Sequence, residues 1–127
     1  MTAAPRAEIS RLLHEQLSFL PDLIIREVPG GFSISSSAWT WTDGDRCGVY
    51  AIESADGWTI ADSGDNLGWR VPDVPATALL LQRMGARLDD DLCIAVGPIS
   101  PTGLGAAAIH LIGLLWLAAE IIDPGED

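Results

Sequence analysis

Few residues in this chain are suited to chemistry. They are two histidines, His14 and His110, two cysteines, Cys47 and Cys93, and two acidic clusters, Asp62-Ser63-Gly64-Asp65-Asn66 and Asp89-Asp90-Asp91. An imidazole works as a general base when a nucleophile and an orienting group stand within hydrogen-bond reach. His14 adjoins Glu15 on the polar side of a helical pattern and His110 lies in an apolar run. Neither has a Ser or Cys at a recognisable spacing, so both read as surface or core histidines. Cys47 follows Arg46, a neighbour that favours a thiolate, but it opens a strand-like segment where a buried and inert thiol is the simpler reading. The cysteines form no CxxC pair and have no His close in sequence, which gives a zinc site no support.

The acidic clusters raise the question of a hard cation. A calcium loop of the EF-hand kind needs oxygen ligands at alternate positions, Gly at the sixth and Glu at the twelfth, and neither cluster has that pattern. Asp and Asn are also the ordinary residues of turns, where their side chains bond the local backbone. No cofactor or metal is expected. The alternative to a non-enzymatic protein is a metal- or small-ligand-binding domain, or a small enzyme, using the Asp62–Asp65 loop.

Net charge narrows the partner. The chain has 18 acids against seven Arg and no Lys, for a formal charge of −11, and the tail acids Asp123, Glu126 and Asp127 supply only three of the excess charges. The folded body is therefore acidic. A nucleic-acid phosphate row repels such a surface, so direct nucleic-acid binding is not expected. Met1–Ser10 carries charge and Pro rather than an apolar run, which reads as a cytoplasmic chain with reduced thiols.

The elements that position these residues follow from periodicity. At 127 residues the chain fits one domain, here 1–122, followed by the acidic tail 123–127. Pro5–Leu20 reads as a helix, with Ile9, Leu12, Leu13, Leu17 and Leu20 at helical spacing and an Arg11–Glu15 ion pair at i, i+4. Strand patterns follow at Leu23–Val28, Phe32–Ser37, Ala38–Thr42, Cys47–Glu53 and Trp58–Ala61, joined by Pro29-Gly30-Gly31, Asp43-Gly44-Asp45 and the hairpin dipeptide Asp56-Gly57. A second helix is expected from Asp73 as N-cap to Gly85 as C-cap. Arg87-Leu88 and Leu92–Val96 flank the Asp89–Asp91 turn as another hairpin, which Gly97-Pro98 should break.

The last helix spans Gly103–Ile122, twenty residues with only His110 and Glu120 polar or ionisable. That length suffices to cross a bilayer. No Lys or Arg flanks it, however, and Gly103, Ala106, His110, Gly113 and Glu120 fall on one stripe, which suits a soluble core helix with one tolerant edge. The resulting expectation is an α+β fold: an N-terminal helix, an antiparallel meander of about five or six strands, and two further helices, the last very apolar.

Asp56-Gly57-Trp58-Thr59-Ile60-Ala61-Asp62-Ser63-Gly64 resembles the D-G-aromatic-x-L-x-D-x-G hairpin of the bacterial and phage family called domain of unknown function 1828. Gly85-Ala86-Arg87-Leu88-Asp89-Asp90-Asp91-Leu92-Cys93-Ile94-Ala95-Val96 resembles that family's next segment. The resemblance implies an α+β fold and a setting in phages or mobile elements, and it brings no catalytic residues.

These readings combine into a functional expectation. The chain should be a non-enzymatic, acidic protein-binding module from a phage or mobile element. It would inhibit a host nucleic-acid-binding defence complex, as an anti-CRISPR protein does, by mimicking nucleic acid on a basic surface. Asp43, Asp45, Asp56, Asp62, Asp65, Asp89, Asp90 and Asp91 would gather at hairpin tips as the charged rim, with Trp39, Trp41 or Trp69 as the anchor if exposed; Trp39 and Trp41 share one face by period two, for which core is the simpler reading. A homodimer through the apolar C-terminal helix, or a regulatory or toxin–antitoxin partner domain docking through it, is the remaining expectation.

Overall fold

The computed structural model describes residues 6–40, 48–55, 57–62, 74–88 and 94–122. The chain is α+β. Among the described residues, helix α1 (Arg6–Gln16) is followed by strands β1 (Ile24–Val28), β2 (Gly31–Ser35), β3 (Val49–Ser54) and β4 (Gly57–Ala61). Helix α2 (Val74–Arg83), strands β5 (Arg87–Leu88) and β6 (Ile94–Ile99), and helix α3 (Leu104–Ile122) complete it. The strands form one antiparallel sheet in the order β1-β2-β3-β4-β6-β5.

Period-two alternation divides the sheet residues between two faces. Phe32, Ile34, Val49, Ala51, Trp58, Ile60 and Ile94 are buried on one of them, and Phe32 stacks on Trp58 with ring centroids 6.1 Å apart. α1 adds Ile9, Leu13 and Leu17, and α3 adds Leu104, Ala108, Leu111, Ile112 and Leu115. α3 packs against β3, β4 and β6 and against α1, so the apolar helix is a layer of the core. Among the described residues no helix is long and apolar enough to cross a membrane.

Side-chain contacts fix how the helices meet. The Gln16 amide donates to the Pro101 carbonyl (3.1 Å), and its oxygen accepts from the Gly105 N–H (2.6 Å) at the start of α3. One long-range glutamine thus does the work of a cap, while the Ser100 side chain makes no capping bond. α2 ends as its sequence predicts. The Ala86 N–H reaches the Leu81 carbonyl and the Gly85 N–H the Gln82 carbonyl, with Gly85 at φ 80°, a Schellman motif. His110 Nε2–H donates to the Met84 carbonyl (2.9 Å), tying α3 to this helix end.

Several expectations shift. α1 ends at Gln16, four residues before Leu20, and the 17–19 segment closes as turns. Ala38–Thr42 is not a strand where it is described: Ser37 and Ala38 form a turn, and Thr40 makes only an isolated bridge. Gly57 is already in β4, paired with Ser54, rather than in the turn. In β3 the buried alternation is Val49 and Ala51, with Tyr50 and Ile52 half-exposed on the other face.

Nor does Gly97-Pro98 break β6. The register slips between the Trp58–Ile99 and Ile60–Val96 pairs, a bulge that takes up the extra residue on β6. Gly97 (φ 146°) fits there because a Cβ would stand 3.0 Å from the Thr59 Cα and from the Trp58 carbonyl oxygen.

Candidate protein-interaction surface

Of the eleven residues expected to bind a partner, two lie among the described residues, and both are buried. Trp39 is 3% exposed and belongs to the core cluster, so it offers no anchor; the turn at Ser37-Ala38 brings it inward, with its N–H on the Ser36 carbonyl. Asp62 is also 3% exposed. Its Oδ2 accepts the Ile94 N–H (2.9 Å) while its own N–H donates to the Ile94 carbonyl (3.0 Å). Just past the end of β4, this carboxylate replaces the backbone acceptor that a longer strand would have given β6. Asp62 is a structural acid, neither part of a charged rim nor free to hold a cation. Asp43, Asp45, Asp56, Asp65, Asp89, Asp90, Asp91, Trp41 and Trp69 lie outside the described residues, as do Cys47, Cys93 and the tail 123–127.

The histidines are placed as surface groups. His14 Nδ1–H donates to the Ser10 carbonyl (2.8 Å), a bond within its own helix, and His110 serves the α2 terminus. A ring nitrogen that donates to a carbonyl holds its proton there and offers no lone pair to a substrate at that atom.

A different aromatic residue is presented to solvent. Phe19 is 67% exposed, in the connection between α1 and β1. This connection is held firmly. The Pro21 carbonyl accepts from the Ser36 hydroxyl (2.6 Å), the Ser37 hydroxyl (3.3 Å) and the Ser37 N–H (3.2 Å), and the buried Ser36 hydroxyl accepts the Ala38 N–H (3.1 Å). Leu20 N–H closes on the Leu17 carbonyl, and the Ser18 hydroxyl donates to the Glu15 carbonyl. Asp22 sits in the left-handed region at φ 51°, a conformation that a short polar side chain tolerates. Phe19 and Leu20 diverge at this turn: Leu20 packs against the core while Phe19 points away from it.

The described charges near α1 are net negative. Arg11 is shared between Glu15 (2.9 Å) and Glu8 (3.7 Å), and Arg6 between Glu27 (3.2 Å) and Glu53 (3.8 Å). Each arginine faces two carboxylates, so each triad keeps one negative charge, while exposed Asp22, three residues after Phe19 in the chain, and exposed Arg26 offset one another.

Sequence reasoning passed over Phe19 because it falls within the helix read over Pro5–Leu20 and ended by Pro21, outside the apolar spacing of Ile9, Leu12, Leu13, Leu17 and Leu20. The available signal was Pro21, which disfavours helix at the residue before it and so favours a turn there. Comparison with family models, curated proteins and solved structures finds no match to this chain.

Proposed function

We propose that this protein is a non-enzymatic, acidic binding module that docks on a basic protein surface, with the Phe19 turn as its apolar anchor. The supporting observation is a single one: an aromatic side chain 67% exposed on a turn pinned through the Pro21 carbonyl, in a chain of net charge −11. Aromatic anchors that are rigid before binding lose little entropy and dominate interface energies, while surrounding charge steers encounter and selects a partner of opposite sign. The sharpest form of the reading is inhibition of a host nucleic-acid-binding defence complex by occupying the groove that holds its nucleic acid. That form draws on the sequence resemblance for its phage setting.

The test is capture of host proteins on the immobilised chain, with identification of what is retained. A nucleic-acid-binding protein should be held at low salt, be displaced by duplex DNA, and be released as salt rises. Phe19→Ala and the pair Asp43→Lys with Asp45→Lys should each weaken capture by about tenfold or more, the range for loss of an interface anchor. Retention unchanged by both variants would sink the proposal.

A further inference from the structure

α3 has two apolar faces, and the core uses one. The residues exposed over 104–116 are Ala106, Ile109, His110, Gly113 and Trp116. Setting aside His110, which bonds the Met84 carbonyl, the exposed positions run at intervals of three, four and three. That is the spacing of a coiled-coil seam, whose natural occupant is another helix. Ile109 is 42% and Trp116 40% exposed, and a Cβ on Gly113 would meet nothing within 4 Å. The segment 104–116 contains no Asp, Glu, Lys or Arg.

We propose that this seam pairs with the same seam of a second copy of the chain, the two α3 helices running antiparallel. Side-chain size selects that direction. With the two-fold axis midway between 109 and 113, Ile109 stands against Gly113 of the second copy and Trp116 against Ala106, each contact occurring twice. Every large side chain then meets a small one. A parallel pair in register would set Trp116 on Trp116 and leave a gap between the two Gly113 positions. The same four positions supply both the large and the small member of each contact, which selects a second copy as the occupant, and charge restricts where it can approach. A chain of net charge −11 repels its own copies through most of its surface, and an uncharged seam is where two copies approach at least cost. A basic partner would find no carboxylate within 104–116 to pair with. Two large side chains per copy make a small contact, so the dimer is weak and concentration-dependent.

Sedimentation equilibrium from micromolar to millimolar chain, at low and high sodium chloride, tests this. A monomer–dimer equilibrium that tightens with salt is expected, because salt screens the repulsion between copies. Gly113→Arg, which has open space on the monomer, and Ile109→Arg should each raise the dissociation constant by about tenfold or more, with circular dichroism confirming the fold. In a Cys47→Ser, Cys93→Ser background, Ile109→Cys chains mixed with Gly113→Cys chains should oxidise to linked pairs, while neither links with itself. The proposal is overturned by a monomer throughout, by a dimer that loosens with salt, by indifference to both arginine variants, or by self-linking of Gly113→Cys. None of these outcomes depends on Phe19 or on a basic partner.

Discussion

Asp62 and Phe19 exchange the roles their residue types suggest. The acid is inside and the aromatic ring outside. Because Asp62 supplies the acceptor for the Ile94 N–H, Asp62→Ala leaves a buried donor unsatisfied and should cost about 1–3 kcal/mol in urea unfolding, while Asp62→Asn, which keeps an acceptor oxygen, should cost less. A lysine at this position would bury an unpaired charge, so its effect on any binding assay would report unfolding. Phe19→Ala behaves in the opposite way: at 67% exposure the ring has little to lose from truncation, and the change in stability should stay within about 0.5 kcal/mol. A variant with native stability and lost capture would separate the anchor from the scaffold. A Phe19→Ala loss well above that range would instead mark the ring as part of the fold.

Two glycines of α3 should respond with opposite signs. A Cβ at Gly105 would stand 2.6 Å from the Gln16 Cβ, where the α1–α3 lock leaves no room; Gly105→Ala should therefore be destabilising in thermal or urea unfolding. Gly113 faces open space in mid-helix, and Gly113→Ala should stabilise the monomer by about 0.5–1 kcal/mol, measured at dilute concentration. Gln16→Ala, which removes both bonds of the lock, should cost about 1–2 kcal/mol. These elements show what a sequence discloses. Ile9, Leu13 and Leu17, the Arg11–Glu15 pair, Gly85 as C-cap and the alternation of Trp58 and Ile60 were legible because each depends on residues a few positions apart. β6 running through Gly97-Pro98 and Gln16 capping α3 across 89 positions depend on partners distant in sequence. The candidate site was less legible than the fold. Phe19 is exposed on a connection whose Pro21 carbonyl is held by Ser36 and Ser37, a contact that no local pattern encodes.

At the scale of the whole molecule, helices and core side chains cover one face of the sheet, and the charge balance of an acidic chain predicts how the fold responds to salt. The described ion pairs are all at the surface, where each is worth about 0–1 kcal/mol and is weakened by salt. They involve only two arginines, Arg6 and Arg11, each flanked by two acids, so even these groups retain net negative charge. Against them stands the mutual repulsion of a −11 chain folded into a small volume, which is stronger in the compact state than in the expanded one and is also screened by salt. With eleven excess charges in the chain against two arginines paired among the described residues, relief of repulsion outweighs loss of those pairs. The melting temperature should therefore rise between roughly 0.01 and 0.5 M sodium chloride, as the Debye length falls from about 30 Å to a few ångströms. A melting temperature that fell over that range would mean the ion pairs outweigh the repulsion. The same titration separates the two proposed contacts by sign: attraction to a basic partner weakens as stability rises, whereas pairing of the uncharged α3 seams strengthens with it. Measured on one preparation, stability and self-association should increase together while capture of a basic partner declines.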